Sequence, residues 1–431
     1  MRSCILCLPG ILATLVTGFH SARGGENWPQ FRGPTGLGYT EEKNLPLEWG
    51  GTEQRNVLWS APLTGQGHAS PVVWGQRVFV CTAFWPQGVA DRAKAIPEQH
   101  VACFRSTDGS RLWDVQVPPG PWLRSDFRSG PGGGYAAPTP ATDGQRLFVM
   151  FGSSVVAALD FDGKILWRKE IVPHSFDVTV GSSPVLFEKN VLVLCAMATK
   201  DDSRLVAFEQ ATGNVAWESR LPEMGFAHST PVIVNVAGQP QMLVAASGGG
   251  RSSKGLMSLQ PAGGQLLWWC QAGGEAASVA YRDQVVYVDS GRGGPGVAVD
   301  ATGSGDVTAT HIKWTVDQVP EGIGSPIIVG DYVYRLHTPG ILKCWQIADG
   351  KQVYAERLNG ISSTWASPVA DAAGRLYFAT AGKSFVIQSG PEFERLAEND
   401  LADANHASPA IAAGKIYLVG EKRIYCVGSR N

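Results

Sequence analysis

Apolar residues in this chain come in short runs, and the runs are cut at close intervals by Gly, Pro, Asn and Asp. Runs of that length, rich in Val, Ile, Phe and Tyr, predict strands rather than helices. They also recur in a fixed frame. A Ser/Thr-Pro pair precedes a strand-like run at Ser70-Pro71, Thr139-Pro140, Ser183-Pro184, Thr230-Pro231, Ser325-Pro326, Ser367-Pro368 and Ser408-Pro409, with Ser278-Val279 taking the same place between the fourth and sixth of the eight units. From Pro140 onward the anchors lie 41 to 48 residues apart; the first interval, Pro71 to Pro140, is longer because that unit carries insertions. A period in the forties made of strands and turns is the length of one four-stranded propeller blade.

A second signature follows each anchor: a strand, a Gly-centred turn, and a strand carrying tryptophan. Cys103 to Gly109 leads to Trp113, Ala158 to Gly163 to Trp167, Ala207 to Gly213 to Trp217, Leu259 to Gly264 to Trp268, and Val299 to Gly303 to Trp314. Glycine suits these turns because tight hairpins demand a positive φ that it adopts without steric cost. Tyr354 stands in the tryptophan's place in the sixth unit, and the seventh, Phe385 to Leu396, has drifted further. Each unit therefore reads as strands A to D from the axis outward. The eighth stops after its C strand, Ile424 to Val427, while Asn56 to Ser60 with Trp59, ahead of the first anchor, has D-strand character. The expected fold is all-β: an eight-bladed propeller of four-stranded antiparallel blades, closed by an N-terminal strand that completes the last blade and removes open sheet edges.

At this point the chain resembles the PQQ-like repeat family, whose blades carry an Ala-x-Asp-x-x-Thr-Gly-x-x-x-Trp docking pattern. The resemblance covers about Asn56 to Gly428. It implies that Trp59, Trp113, Trp167, Trp217, Trp268 and Trp314 pack between neighbouring blades. The segment Trp28-Pro29-Gln30-Phe31-Arg32-Gly33-Pro34 also resembles the N-terminal part of a secreted subgroup of these propellers.

Composition fits one long all-β domain. Among 431 residues there are 52 glycines and 27 prolines, and only 17% are charged. Net charge is −2 with no basic run, which argues against nucleic acid as a partner. The first residues differ from the rest: Arg2, an apolar stretch from Cys4 to Phe19, then Ser21-Ala22 predict a secretory signal over 1–22, too short to span a membrane. Neither Cys4 nor Cys7 has a lipoprotein context. The expected organisation is a signal over 1–22, a Pro/Gly-rich arm over 23–55, and a single, monomeric propeller over 56–431 with no transmembrane segment. Six cysteines remain beyond the leader. Cys103, Cys344 and Cys426 share one repeat position and read as small buried hydrophobes; Cys81 and Cys103 could face each other and bridge. Beyond the leader no CxxC pair occurs, and no GxSxG, HExxH or EF-hand pattern is present, so no metal site and no catalytic residue is expected.

Strand alternation puts the B–C and D–A connections on one face, where the longest insertions fall: Thr82 to His100 and Val117 to Ala137. Shorter B–C loops include Gly291 to Gly294, read as a flexible loop, since no helix follows to make it a phosphate loop. Long loops on a rigid scaffold usually carry function. Three residues before each anchor lies a ring at that face: His68, Ala137, Gly181, His228, Ala276, Ile323, Trp365 and His406. His68, His228, Trp365 and His406 are candidate ligand-binding residues, joined by Arg124, Asp126 and Arg128 from the insertion. The same histidines could instead bond neighbouring strands and plug the channel.

The resemblance implies two kinds of function. In PQQ-dependent dehydrogenases the cofactor lies over the channel mouth between a tryptophan and a ring formed by two adjacent cysteines, served by calcium and an aspartate base. Trp365 could supply the stacking face, but no two cysteines are adjacent here. In non-catalytic propellers such as BamB, the repeats serve as a scaffold and the loops bind proteins. The expectation is an exported, periplasmic or secreted scaffold, without cofactor, that meets an envelope protein or a small ligand on its insertion-bearing face. The alternative is a quinoprotein dehydrogenase for alcohols or sugars, using PQQ with calcium.

Overall fold

Blade 1 is built from consecutive antiparallel strands, Val72–Trp74 (A), Arg77–Phe84 (B), Glu98–Arg105 (C) and Arg111–Gln116 (D). The same A-to-D order repeats through seven blades of the computed structural model, which describes residues 25–121, 134–171, 181–196, 203–247, 254–403 and 406–429. The predicted leader lies outside the described residues. Blade 8 takes Ala410–Ala412, Lys415–Val419 and Arg423–Gly428 from the end of the chain, and its outermost strand, Val57–Pro62, from the front. That strand pairs antiparallel with Arg423–Gly428, Ser60 opposite Tyr425. The propeller is thus eight-bladed and closed by the N-terminal strand, as the repeat predicts.

The B strands explain the continuous apolar runs. Val78, Phe79, Val80, Cys81 and Ala83 are all buried, because each inner strand is covered on both faces by the neighbouring blades. The core is accordingly not one centre but a series of inter-blade layers. Val149 and Leu159 of blade 2 pack with Phe79 and Cys103 of blade 1, and Val191 and Phe208 of blade 3 with Phe148 and Ala158 of blade 2.

The D-strand tryptophans tie the outer part of these layers together. Trp59 lies against the Gly109 turn of blade 1, where φ is +73° and a Cβ would come within 2.4 Å of the ring. Its Nε1 donates to Ser106 O at 3.0 Å. Trp113, Trp167 and Trp314 do the same to Phe161, Gln210 and Ile347 of the next blade. Opposite each tryptophan on its own C strand sits a small residue: Cys426, Cys103, Ala158 and Ala298 face Trp59, Trp113, Trp167 and Trp314. Trp217 packs under Gly264, but its buried Nε1 has no partner among the described residues. Trp268 departs from the pattern, donating to Gln241 Oε1 of its own blade. The reason lies in the long C–D turn of blade 5, where Gly305–Asp306 pairs parallel with Trp268-Trp269 as a fifth strand on blade 4.

Three sequence expectations are corrected. Cys81 pairs opposite Val101, and Cys103 opposite Phe79, so the two thiols do not face each other; all six described cysteines are free and buried. The first B–C loop is shorter than expected, 85–97, because both strands extend past Thr82 and His100. Arg292–Asp300 is a strand paired with Ile312–Glu321, so the Gly-rich run there is no flexible loop. No helix among the described residues is long and apolar enough to cross a membrane.

The arm crosses the A–B end of the propeller. Trp28 pairs with Val73 of blade 1, and Pro29 O accepts from Thr142 N of blade 2. Arg32 then reaches blades 5 and 6, its Nη1 donating to Val279 O at 3.1 Å and its Nη2 to Pro326 O at 2.7 Å. Thr40 N bonds Ala370 O of blade 7, and Gly414 N of blade 8 bonds Glu42 Oε1. A segment bonded to six of the eight blades is part of the fold rather than an appendage.

Truncating Trp59 to alanine should cost about 3–5 kcal/mol, since an indole, a hydrogen bond and the seam between blades 8 and 1 are lost together. Trp217→Ala, with no hydrogen bond to lose, should cost less. Denaturant unfolding of the two variants checks the order; equal losses would mean that the indole hydrogen bond contributes nothing.

Candidate functional site

The channel has a hydrogen-bonded wall. In each anchor pair the Ser or Thr turns its hydroxyl toward the preceding blade, where it accepts from that blade's anchor N–H. Ser70 N bonds Thr139 Oγ1, Thr139 N bonds Ser183 Oγ, and Ser183 N bonds Thr230 Oγ1, at 2.9 to 3.0 Å. The series continues through Ser278, Ser325, Ser367 and Ser408 at 2.8 to 3.1 Å. Seven steps of the ring are closed in this way. The eighth, between Ser408 and Ser70, is open: Ser70 Oγ is buried without a partner among the described residues.

Above this hydroxyl ring stands the ring read from the sequence. His68, Ala137, Gly181, His228, Ala276, Ile323, Trp365 and His406 all line one cavity, together with seven of the anchor hydroxyl residues, Arg292 and Phe31. The cavity measures about 910 Å³, the space at its open mouth included. Phe31 comes from the arm and Arg32 is fully buried, so among the described residues the channel is closed at the A–B end and opens toward the loop-bearing face. It is a blind pocket.

Three rings meet over the open step. His68 and His406 lie 4.8 Å apart between centroids, and Trp365 stands 5.4 Å from His68 and 5.3 Å from His406. His406 Nδ1 is 3.1 Å from Ser363 Oγ. Burial, with His406 beside it, holds the His68 imidazole down to about 3, and burial lowers His406 as well, partly offset by Glu421. Both rings are therefore neutral at pH 7 and present an apolar, weakly polar wall. His228 sits across the channel, edge-on to Phe226 at 4.6 Å, in the space left by Gly181, where a Cβ would meet its ring at 2.8 Å. Arg124, Asp126 and Arg128, expected to join the site, lie outside the described residues.

Sequence reasoning passed over Phe31, Arg32 and Arg292. Arg32 donates only to carbonyl oxygens, including Leu37 O at 2.9 Å, and has no carboxylate partner among the described residues. Burial lowers its pKa to about 10, so it stays charged at neutral pH. Arg292 stands at the mouth on blade 5, 3.5 Å from Glu275. An arginine inside a Pro/Gly-rich motif was the available signal. The deeper Arg335–Asp289 pair, bidentate at 2.8 Å, is internal to blades 5 and 6 and does not line the channel.

A family model described as outer membrane protein assembly factor BamB matches residues 97–356 and 243–431. The chain belongs to this family of PQQ-like repeat propellers. No curated protein sequence matches it. Among solved structures, the BamB of Moraxella catarrhalis is similar at a TM-score of 0.58 and 12% identity, covering 86% of this chain and 97% of that one. A europium-containing methanol dehydrogenase gives 0.66 and 12%, covering 94% and 98%. The quinohemoprotein alcohol dehydrogenase of Comamonas testosteroni gives 0.54 and 12%, covering 95% and 82%. At such identities the likeness is one of fold alone, and it spans scaffold and enzyme alike.

The residues present do not fit a quinone with calcium at this mouth. Among the described residues none that lines the pocket is a carboxylate or a cysteine, and the described cysteines are buried inside blades. Calcium takes several oxygen ligands, usually carboxylates among them.

The two depressed histidines make a pH prediction. A histidine held neutral in the fold binds fewer protons than in the unfolded chain, so its contribution to stability is present above about pH 6.5 and is lost as pH falls toward about 3. His68→Phe should therefore flatten the loss of stability across that window. Thermal melts at pH 7, 5 and 4 measure it; a variant as acid-sensitive as the wild type would show that His68 titrates normally. His406, lowered by burial too, and His337, held down to about 3, contribute to the acid sensitivity that remains.

Proposed function

We propose that the chain is exported through its predicted leader and works as a monomeric, non-catalytic scaffold, binding an envelope protein on the face where the channel opens. One observation carries this reading: among the described residues the channel mouth holds no carboxylate and no cysteine, and is lined by hydroxyls, imidazoles, one indole and Arg292. Such a lining offers recognition, and its described residues supply neither a quinone clamp nor a calcium cage. The BamB-type family model favours the same branch. The loop 85–97 on that face carries Trp85 under the Arg92 guanidinium at 5.4 Å, its Nε1 donating to Ala95 O. Aromatic and arginine side chains of this kind are enriched at the energetic centres of protein interfaces.

The dehydrogenase reading keeps one supporting observation, the Trp365 indole at the channel mouth. The two separate on a direct assay. Purified protein mixed with PQQ and calcium should show neither bound-quinone absorbance nor dye-linked oxidation of alcohols or sugars. Saturable oxidation lost in Trp365→Ala would replace the scaffold reading. In parallel, an envelope protein captured by the wild type should be lost when 85–97 is shortened to a tight turn. Capture that survives the shortening would move the partner to another face.

A further inference from the structure

The blind channel has a chemical polarity that the scaffold reading does not use. The oxygens of Thr139, Ser183, Thr230, Ser278, Ser325, Ser367 and Ser408 are all occupied as acceptors for a neighbouring blade's N–H. A hydroxyl has one proton to give besides the lone pairs it offers. No acceptor among the described residues takes any of these seven protons, so the wall is a crown of donors, each with one of its two lone pairs already engaged. A cation finds no carboxylate there. Charge points the same way: the Arg32 guanidinium is bonded to the carbonyls of Val279 and Pro326, the residues that directly follow Ser278 and Ser325 of the crown. Arg292 lines the same pocket from blade 5, its Nε 3.5 Å from Glu275 Oε1. The pocket lined by Ser278 and Ser325 thus has a buried guanidinium bonded beside these two hydroxyls and a second, exposed one in its wall. Across the channel, Trp365, His68 and His406 form an apolar ring wall. Fixed donors and cations in a dry pocket act on an anion far more strongly than they would in water.

We infer that the channel receives a carboxylate carried on a single-ring apolar body, the anionic end seated at Ser278 and Ser325 and the ring against Trp365, His68 and His406. The inference rests on the reading of the mouth as a binding face. Two sources share this chemistry: a free aromatic acid, and the terminal carboxylate of a polypeptide ending in an aromatic residue. The pocket is open on one side, so either source can enter it from the mouth.

The test titrates the full mature chain by calorimetry, with Trp365 fluorescence as a second readout. Four probes are used: phenylacetate, phenylacetamide, Gly-Gly-Phe with a free carboxylate, and its C-terminal amide. Each acid that binds should do so at least tenfold more tightly than its amide. The Ser278→Ala/Ser325→Ala double variant should lose that preference. Arg292→Gln, at an exposed side chain that leaves the fold intact, should weaken acid binding several-fold even if the double variant fails to fold. The tighter of the two acids identifies the source. Equal binding of acids and amides, no binding at millimolar concentration, or a preference unchanged in Arg292→Gln would overturn the inference. Capture of an envelope protein by the same face, with acid binding absent, would remove this site and leave the scaffold intact; loss of both would remove the scaffold reading too.

Discussion

A ring of eight blades must satisfy one condition that an open sheet avoids: its last member has to meet its first. In this chain the condition is met twice, at two radii. Near the axis, the hydroxyl of each anchor accepts the N–H of the anchor one blade back, so that each A strand is fixed in height against its neighbour. Toward the rim, the D-strand indole reaches the next blade's C–D turn. A backbone donor near the axis is turned away from its own sheet and would be costly to bury unpaired. The requirement explains why Ser or Thr recurs at this place whatever the loops do. Closure then falls to Val57–Pro62, which supplies both a strand and the Trp59 dock at the one step where the hydroxyl ring is open.

That open step and the candidate site coincide. Where Ser408 and Ser70 fail to bond, the wall is sealed instead by His68, His406 and Trp365 in mutual ring contact. Aromatic contacts are less demanding in geometry than a hydroxyl-to-amide bond, and so tolerate the mismatch left where two chain ends meet. The bulky ring positions of the mouth cluster on this side, while blades 2, 3 and 5 present Ala137, Gly181 and Ala276. The asymmetry of the pocket is therefore a consequence of how the ring is closed, and any ligand must choose an orientation within it.

Much of the fold was legible because repetition makes each unit a reading of the others. Ser278-Val279 lacks the proline and Tyr354 the tryptophan, yet both fall in frame and both occupy the expected strand positions. The candidate ring at the mouth was legible for the same reason, since the residue two before each anchor Ser or Thr points to the same side of an extended chain as that hydroxyl. What escaped notice is what the repeat does not contain. Phe31 and Arg32 sit in a non-repetitive arm, and nothing local in Gln30-Phe31-Arg32-Gly33 says that the segment crosses from blade 2 to blade 5. The register of Cys81 and Cys103 depends on a two-residue choice in strand pairing, which spacing alone does not decide. The fifth strand on blade 4 belongs in sequence to blade 5 and becomes visible only in space.

The arm changes what the propeller can be. An open channel would carry solvent along the axis, and its wall hydroxyls would be hydrated from both ends. With Phe31 as a floor and Arg32 beneath it, the same hydroxyls face a pocket with a single entrance, and water inside has to be exchanged through the loop-bearing face. Burying a guanidinium without a carboxylate costs free energy that the three carbonyl hydrogen bonds only partly return. A fold selected for stability alone would serve as well with a neutral residue there. The charge is retained at the closed end of the channel, below donors that have no acceptor, and that combination is what ties the architecture of the ring to recognition at its mouth.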